Sequence, residues 1–242
     1  GLIPFASSFA SFIMCKGYDQ IRMSIANPHL NVRLVGSHGG ISLGEDGASQ
    51  QSVEDLSLAC SLPQFTVLIP ADEVCTKAIT RLSVDHEGPV YMRTGRPKAP
   101  IIYKEDETFE IGKAKTVREG TDVTVVAVGL LVMEALLAAD VLEQEGISVR
   151  VIDMFTVKPI DAEAIEKAAK ETGAIVTAEE HLIGGLSAQV AQVVVNSHPV
   201  PMEFVGINDT YAESGKPEEL LEKYGLKSAD VIKAIRKVVK RK

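Results

Sequence analysis

Short apolar runs alternate with amphipathic stretches along most of the 242-residue chain. Residues 123–128 are almost entirely apolar, which is typical of parallel strands covered by helices on both faces. Residues 9–26 instead place Phe9, Phe12 and Ile25 among the apolar positions of a helical repeat. This alternation predicts an α/β fold with mostly parallel sheets.

The predicted elements fall into two groups. In the first half, the pattern predicts strands at residues 1–8, 32–35, 66–69 and 89–93, and helices at 9–26, 51–62 and 72–85. In the second half, it predicts strands at 122–128, 149–152, 174–178 and 202–207, and helices at 131–144, 162–172, 186–196, 217–224 and 228–240. Prolines and charged residues interrupt the pattern between them. We therefore predict two consecutive domains, 1–104 and 105–242, each a mostly parallel sheet flanked by helices.

The most polar strand-to-helix connection has the sequence Gly-Ser-His-Gly-Gly-Ile-Ser-Leu-Gly-Glu-Asp-Gly-Ala-Ser-Gln, residues 36–50. Loops at the carboxyl ends of parallel strands are where α/β proteins bind ligands. His38 can exchange protons near neutral pH or donate to an anionic oxygen. Glu45 and Asp46 are adjacent, so their side chains diverge in an extended chain and at most one faces a ligand. The alternative is an ordinary surface loop in which His38 bonds a backbone carbonyl.

Three further candidates have structural as well as functional interpretations. Phe9 and Phe12 are three residues apart in the predicted helix, so they share one face and either pack in the core or wall a flat ring. Arg96 follows a predicted strand and can bind a phosphate or carboxylate, or form a local salt bridge. His181 follows a strand of the second half and has either a structural role or a place at the domain interface.

Composition narrows the possible functions. Apolar residues make up 45% of the chain and charged residues 24%, as in soluble globular proteins. The net charge of -8 disfavours nucleic-acid binding, and no apolar run reaches the ~20 residues of a membrane span. Three cysteines without a C-x-x-C pair indicate a reduced, cytoplasmic protein.

Gly129 begins no G-x-G-x-x-G motif, which disfavours a dinucleotide cofactor. Because the chain starts at Gly1 without Met, we expect upstream residues in the natural protein.

Several motifs together resemble the transketolase family. In the first half these are Ser-Ser-Phe-Ala-Ser-Phe at residues 7–12, Asp-Gln-Ile-Arg-Met at 19–23, the glycine-rich loop at 36–50, and Arg-Thr-Gly-Arg-Pro at 93–97. In the second half, Phe-Thr-Val-Lys-Pro-Ile at 155–160 and Ser-Gly-Lys-Pro-Glu at 214–218 are similar to the family's C-terminal domain. The resemblance covers the whole chain and is more specific in its first half.

The resemblance implies an enzyme that transfers a two-carbon ketol unit between sugar phosphates with thiamine diphosphate and a divalent cation, Mg²⁺ or Ca²⁺. This chain would be a C-terminal section, made of a pyrimidine-binding domain that lacks its N-terminal part and the C-terminal domain. By the matching motifs, Phe9 and Phe12 would form the wall against which the aminopyrimidine ring stacks. His38 would contact the sugar or its phosphate and take part in catalysis, and Gln50 would lie at the reacting end of the donor. Asp46 would bind the C2 hydroxyl of the substrate, and Arg96 its phosphate.

Departures from the family pattern affect what the chain can do alone. The family commonly has an aromatic residue where Cys15 stands, and many members have histidine in place of Gln50, although an animal-like branch has glutamine. The glutamate that protonates the pyrimidine ring lies upstream of residue 1 in the family, and the Gly-Asp-Gly domain that binds diphosphate and metal is not in this chain. We therefore expect no metal site here, no activity alone, an N-terminal section as partner, and a homodimer or heterotetramer.

Two other functions remain open at this stage. One is a related thiamine-diphosphate enzyme, either a deoxyxylulose-phosphate synthase or an E1 β subunit of a 2-oxo acid dehydrogenase. The other is a non-catalytic assembly or regulatory subunit of the same family. Arg96 and the pair Ser49 and Gln50 favour transketolase over the other two enzymes.

Overall fold

The computed structural model describes all 242 residues and contains two five-stranded sheets. The first sheet has the order β1 (Phe5–Phe9), β2 (Arg33–Ser37), β4 (Val90–Arg93), β3 (Thr66–Leu68) and β8 (Thr156–Lys158). The second has the order β10 (Met202–Ile207), β9 (Ile175–Leu182), β6 (Val123–Ala127), β7 (Val149–Asp153) and β5 (Lys115–Arg118). Neighbouring strands are parallel except for the edge pairs β3–β8 and β5–β7. The α/β prediction is confirmed.

Helices connect the parallel strands, and two further helices follow the last strand. They are α1 (Lys16–Ile21), which is flanked by π-helical turns at Ser11–Cys15 and Arg22–Ala26, α2 (Asp55–Ser61), α3 (Glu73–Asp85), α4 (Leu131–Glu143), α5 (Ala162–Thr172), α6 (Leu186–Ser197), α7 (Pro217–Lys223) and α8 (Ser228–Val239). Asp72 caps α3 by accepting from the Cys75 N–H at 2.8 Å, as an N-cap carboxylate does. Gly173 ends α5 at φ 66°, the left-handed conformation that glycine tolerates.

The structure differs from the predicted elements in three places. Phe9 ends β1 instead of starting a helix, because it pairs with Ser37 in the parallel ladder; the prediction that Phe9 and Phe12 share one helix face is therefore wrong. Helix α2 starts at Asp55 and not at residue 51, because Ser52 turns back to bridge Gly40. Strand β8 was not predicted, and it adds a segment of the second half to the first sheet.

Two apolar cores hold the sheets together, and each draws on both halves of the chain. Val125 packs in a core with Leu68 and Met92. Its neighbour Val126 packs in the other core, with Leu56 and Tyr91. Consecutive residues of a strand point to opposite faces, so β6 contributes one face to each core.

None of the helices combines the length and the apolar content that a membrane span requires.

Candidate functional site

The candidate residues lie along one edge of the first sheet. Strands β1, β2 and β4 are parallel neighbours, so their carboxyl ends meet at the same edge. Phe9 ends β1, His38 follows β2, and Arg96 follows β4. Residues 38–54, which connect β2 to α2, are referred to as the site loop. Phe9, Phe12, His38, Asp46 and Arg96 converge at this edge.

Three aromatic rings form a nearly parallel group. The Phe9 and Phe12 ring centroids are 5.4 Å apart with an interplanar angle of 6°. The His38 ring lies 3.9 Å from that of Phe9 at 15°. Phe12 remains 40% exposed, and the Lys16 ammonium lies 5.5 Å from its ring centroid. The group presents an exposed aromatic surface against which a flat heteroaromatic ring can stack.

His38 is held by its neighbours in an uncommon conformation. Its φ is 58°, in the left-handed region that few non-glycine residues adopt. Its Nδ1 lies 2.9 Å from the Ser37 hydroxyl, so a side chain and not a backbone carbonyl is its partner. Burial lowers the pKa of His38, the Arg96 guanidinium lowers it further, and the Asp46 carboxylate opposes them. The neutral imidazole, which can accept a proton, is therefore favoured at neutral pH.

Arg96 bridges two adjacent acidic residues of the site loop, Glu45 and Asp46. Its Nη1 donates to the Leu43 carbonyl at 2.5 Å and to Asp46 Oδ2 at 3.3 Å, and lies 3.8 Å from the Glu45 carboxylate. The side chain of Asp46 is 38% exposed and that of Glu45 67%. Asp46 is thus the more enclosed of the two carboxylates, and the half-exposed guanidinium is accessible to an anion.

Gln50 connects the site loop to the aromatic group. Its backbone carbonyl accepts from the Ser11 hydroxyl at 3.0 Å, and Ser11 directly precedes Phe12. The half-buried Gln50 side chain makes no hydrogen bond within the chain. Cys15 lies one turn after Phe12, with its sulfur 3.8 Å from the Ser52 hydroxyl. Burial raises the pKa of the Cys15 thiol to about 11, so the thiol is uncharged at neutral pH.

The site is an open surface. A cavity of about 240 Å³ lies behind it between the two sheets, lined by residues such as Gly39, Arg93, Gly129 and Glu180. None of Phe9, Phe12, His38, Asp46, Gln50 and Arg96 lines this cavity. No group of three or more His, Cys, Asp or Glu side chains is arranged to hold a metal ion. The exposed aromatic group has the flat, apolar surface that would suit the ring of a cofactor such as thiamine diphosphate.

The residues that support the site loop from behind were not predicted from the sequence. Glu180, at the end of β9, is 6% exposed, and its Oε1 accepts from the N–H groups of Ile41 at 2.7 Å and Ser42 at 2.6 Å. Burial raises the pKa of the Glu180 carboxyl group, against the opposing effect of the Arg93 guanidinium. Adjacent glutamates in an apolar strand were the available signal, since glutamate is rarely buried without a partner.

His181 lies where the two halves meet and has a structural role there. The residue is fully buried. Its Nε2 accepts from the Leu56 N–H at 3.2 Å and its Nδ1 donates to the Leu182 carbonyl at 2.7 Å. These two bonds hold the imidazole between α2 and the end of β9.

Comparison with known proteins agrees with this architecture. The family model for the transketolase pyrimidine binding domain matches residues 1–101, and that for the transketolase C-terminal domain matches residues 112–231. A protein of Methanocaldococcus jannaschii described as a transketolase C-terminal section is 42% identical over 245 residues, which cover 100% of this chain and 77% of that protein. The 6-deoxy-6-sulfo-D-fructose transketolase subunit SqwH of Clostridium sp. (strain MSTE9) is 41% identical, with coverage of 100% and 76%.

A solved structure is similar over the whole chain. It is a split-gene transketolase, described as an inactive β4 tetramer, with a TM-score of 0.95 and 46% identity. The match covers 100% of this chain and 78% of that one. These similarities confirm the resemblance seen in the motifs, and the chain belongs to the transketolase family as a C-terminal section.

Proposed function

We propose that this chain binds the pyrimidine ring of thiamine diphosphate and the sugar substrates of a transketolase, and becomes active when an N-terminal section supplies the diphosphate and cation site. One observation carries the proposal: an exposed aromatic group, a neutral imidazole and a carboxylate–guanidinium pair converge on one open edge of the first sheet. An open site of this kind is completed by a second protein surface.

The aromatic residues orient the cofactor. Phe9 and Phe12 offer a flat apolar surface for its ring, and the neutral thiol of Cys15 adds a smaller apolar contact than an aromatic residue would. When bound, thiamine diphosphate supplies the carbon chemistry by which the ketol unit is detached and transferred. The protein contributes binding, orientation and proton movement.

His38 is the proposed proton carrier. Its Nδ1 is occupied by Ser37, which leaves Nε2 to face a substrate hydroxyl. A positioned imidazole contributes about 10²–10⁴-fold to the rate of such a step. Gln50, whose amide has no partner within the chain, would hydrogen-bond the reacting end of the donor.

Arg96 and Asp46 are proposed to divide the recognition of the substrate. The guanidinium would bind the terminal anion, with the planar geometry that suits phosphate. This contact would draw Arg96 away from Asp46, which lies 3.3 Å away. The carboxylate of Asp46 would then accept a hydrogen bond from the C2 hydroxyl. A sulfonate would satisfy Arg96 as well, so a sulfonated sugar like that named for the Clostridium relative is a second candidate substrate.

The need for a partner chain is supported by the relatives. The split-gene structure is described as an inactive β4 tetramer, and the Clostridium relative as a subunit. We propose that this chain works with a diphosphate-binding section. The assembly would be a homodimer if the two sections belong to one chain, and a heterotetramer if they are separate chains.

Reconstitution tests the proposal. The chain alone should show no ketol transfer from a ketose phosphate to an aldose phosphate, and addition of an N-terminal section with thiamine diphosphate and Mg²⁺ should restore it. His38→Ala and Asp46→Ala should each lower kcat/KM by about 10²-fold without changing the melting temperature. His198→Ala, in an exposed loop, is the matched control. Inactivity with every candidate section would overturn the proposal, and unchanged kinetics of H38A would remove His38 from the site.

The competing functions give different results in the same reconstituted protein. A substrate panel of ketose phosphates, 6-deoxy-6-sulfo-D-fructose, pyruvate and a longer 2-oxo acid separates transketolase activity from that of the related enzymes. Calorimetric titration with thiamine diphosphate separates all of them from a non-catalytic subunit, which would not bind it.

A further inference from the structure

The site loop is held in place by a side chain from the other half of the chain. Glu180 is separated from Ile41 and Ser42 by 139 and 138 residues. One oxygen of its carboxyl group accepts from both of their N–H groups, at 2.7 and 2.6 Å. Hydrogen bonds from N–H groups to a buried carboxylate are stronger than neutral ones. This contact fixes the loop at a point between His38 and Asp46.

The surroundings are adapted to this approach. A Cβ at Gly40 would overlap the Glu180 carboxyl group, and one at Gly39 would overlap the Arg93 side chain. Gly40 also has a φ of 83°, which favours glycine. Arg93 in turn donates to the backbone carbonyl of Glu180 at 2.7 Å. The glycines next to His38 therefore allow the loop to lie directly on Glu180 and Arg93.

The neighbouring residue, Glu179, has similar chemistry and a different partner. It is 1% exposed, and its two oxygens accept from the N–H groups of Leu186 at 2.6 Å and Ser187 at 3.0 Å. It therefore caps α6 within the second half and makes no hydrogen bond with the site loop. The two glutamates form a natural pair in which only one supports the site.

We propose that Glu180 is a positioning residue for the reaction: it holds the backbone at Ile41 and Ser42 so that His38 and Asp46 face the substrate. This inference rests on the proposed function for its kinetic consequence, and it assigns the second half of the chain a direct part in the active site. Misplacement of catalytic groups by about 1 Å costs on the order of 10²-fold in rate.

Hydrogen–deuterium exchange of the full chain tests the contact without any activity. In Glu180→Ala, the amides of Ile41 and Ser42 should exchange about tenfold faster, as expected for the loss of a hydrogen bond, whereas those of Leu186 and Ser187 should not change. In Glu179→Ala, the amides of Leu186 and Ser187 should exchange faster, whereas those of Ile41 and Ser42 should not change. Unchanged exchange at Ile41 and Ser42 in E180A would overturn the proposal even if the reconstituted enzyme proved inactive for other reasons.

Two conservative variants distinguish the effect of side-chain length at position 180 from the effect of the carboxylate charge. They also serve if the alanine variant does not fold. Glu180→Gln keeps an oxygen at the same position and should retain protection of both amides. Glu180→Asp keeps the charge but is one methylene shorter, so it should lose the protection as E180A does. If the two amides were instead protected in E180D and unprotected in E180Q, the charge beside Arg93 would matter and not the contact with the loop. That result would overturn the proposal.

Kinetics of the reconstituted enzyme separate positioning from stability. E180A and E180D should lower kcat/KM for the sugar phosphate by about 10²-fold, while E180Q falls between these and the wild type. The affinity for thiamine diphosphate should not change, because Phe9 and Phe12 lie on β1 and the turn after it and not on the site loop. E179A should lower the melting temperature and leave kcat/KM unchanged. If E180D and E179A gave the same kinetics, Glu180 would have only a structural role.

Discussion

His38 shows how the charged residues around one ring set its proton affinity. The imidazole stacks on Phe9 at 3.9 Å, and its pKa is lowered first by burial and then by the Arg96 guanidinium, against the attraction of Asp46. A neighbouring cation disfavours the protonated imidazole and a neighbouring anion favours it. The carboxylate–guanidinium pair that we assign to substrate recognition therefore also controls the protonation state of the proposed proton carrier.

Removal of the Arg96 charge should raise the pKa of His38. In Arg96→Gln the repulsion is lost and the Asp46 carboxylate is left unpaired, so both changes favour the protonated imidazole. At any pH near the pKa, a smaller fraction of His38 should then be neutral than in the wild type. NMR titration of the histidine ring protons in the chain alone measures this, with His38→Ala to assign the signal.

Arg22→Gln is the control for this titration. Arg22 is an exposed arginine of the same half, paired with Asp19, and it does not contribute to the pKa of His38. Its replacement should leave the titration unchanged. An Arg96→Gln variant with the same His38 pKa as the wild type would contradict the electrostatic coupling.

At the residue scale, motifs predicted which side chains meet but not what supports them. The motif positions identified Phe9, Phe12, His38, Asp46 and Arg96, and the structure brings these together; their roles remain predictions. Glu180 could not be placed from the sequence, because its partners lie in the other half of the chain and are backbone N–H groups without a residue signature. A contact of this kind depends on how the two sheets pack against each other.

At the scale of elements, the site loop depends on backbone conformations that favour glycine. Gly40 has a φ of 83° and lies against Glu180. Gly146, in the turn after α4, has a similar φ of 78°, and a Cβ there would meet no atom within 4 Å. Comparison of Gly40 with Gly146 therefore separates the energetic cost of a left-handed backbone from the cost of a Cβ pressed against Glu180.

Gly146→Ala should destabilise the fold by about 1 kcal/mol, which is the cost of a left-handed conformation for alanine. Gly40→Ala should destabilise it by about 3 kcal/mol, because it also displaces Glu180 from its two backbone donors. Urea denaturation followed by circular dichroism is suitable, since the chain has no tryptophan. Equal losses of stability would show that the contact with Glu180 is not tight enough to exclude a methyl group.

Elements with strong local signals were predicted well, and those made by tertiary pairing were not. Asp72 and Gly173 mark ends of helices by capping chemistry that is visible in the sequence. Phe9 instead joins a strand because β2 lies beside it. Strand β8 has only three residues, Thr156–Lys158, and exists because it pairs with β3 from the other half. Local periodicity carries no information about such partners.

At the scale of the whole molecule, the two halves share their apolar cores. Each core contains residues from both halves, and β6 contributes Val125 to one and Val126 to the other. Buried contacts with β9 also hold the site loop and the helix after it, since Glu180 accepts from the Ile41 N–H in the loop and His181 from the Leu56 N–H in α2. The division into domains 1–104 and 105–242 remains a prediction. Whether the two halves unfold together or separately tests it.

We expect the chain to unfold in a single cooperative transition, because neither half can open without exposing part of both cores. Calorimetry should give equal calorimetric and van't Hoff enthalpies, the signature of two-state unfolding. Val125→Ala and Val126→Ala each remove two buried methyl groups, from opposite faces of β6, and should cost about 2 kcal/mol apiece. Both should therefore lower the melting temperature of the same transition by about 5 °C. Two transitions, with each variant shifting a different one, would show instead that the cores unfold independently and that the site loop loses its support before the rest of the molecule melts.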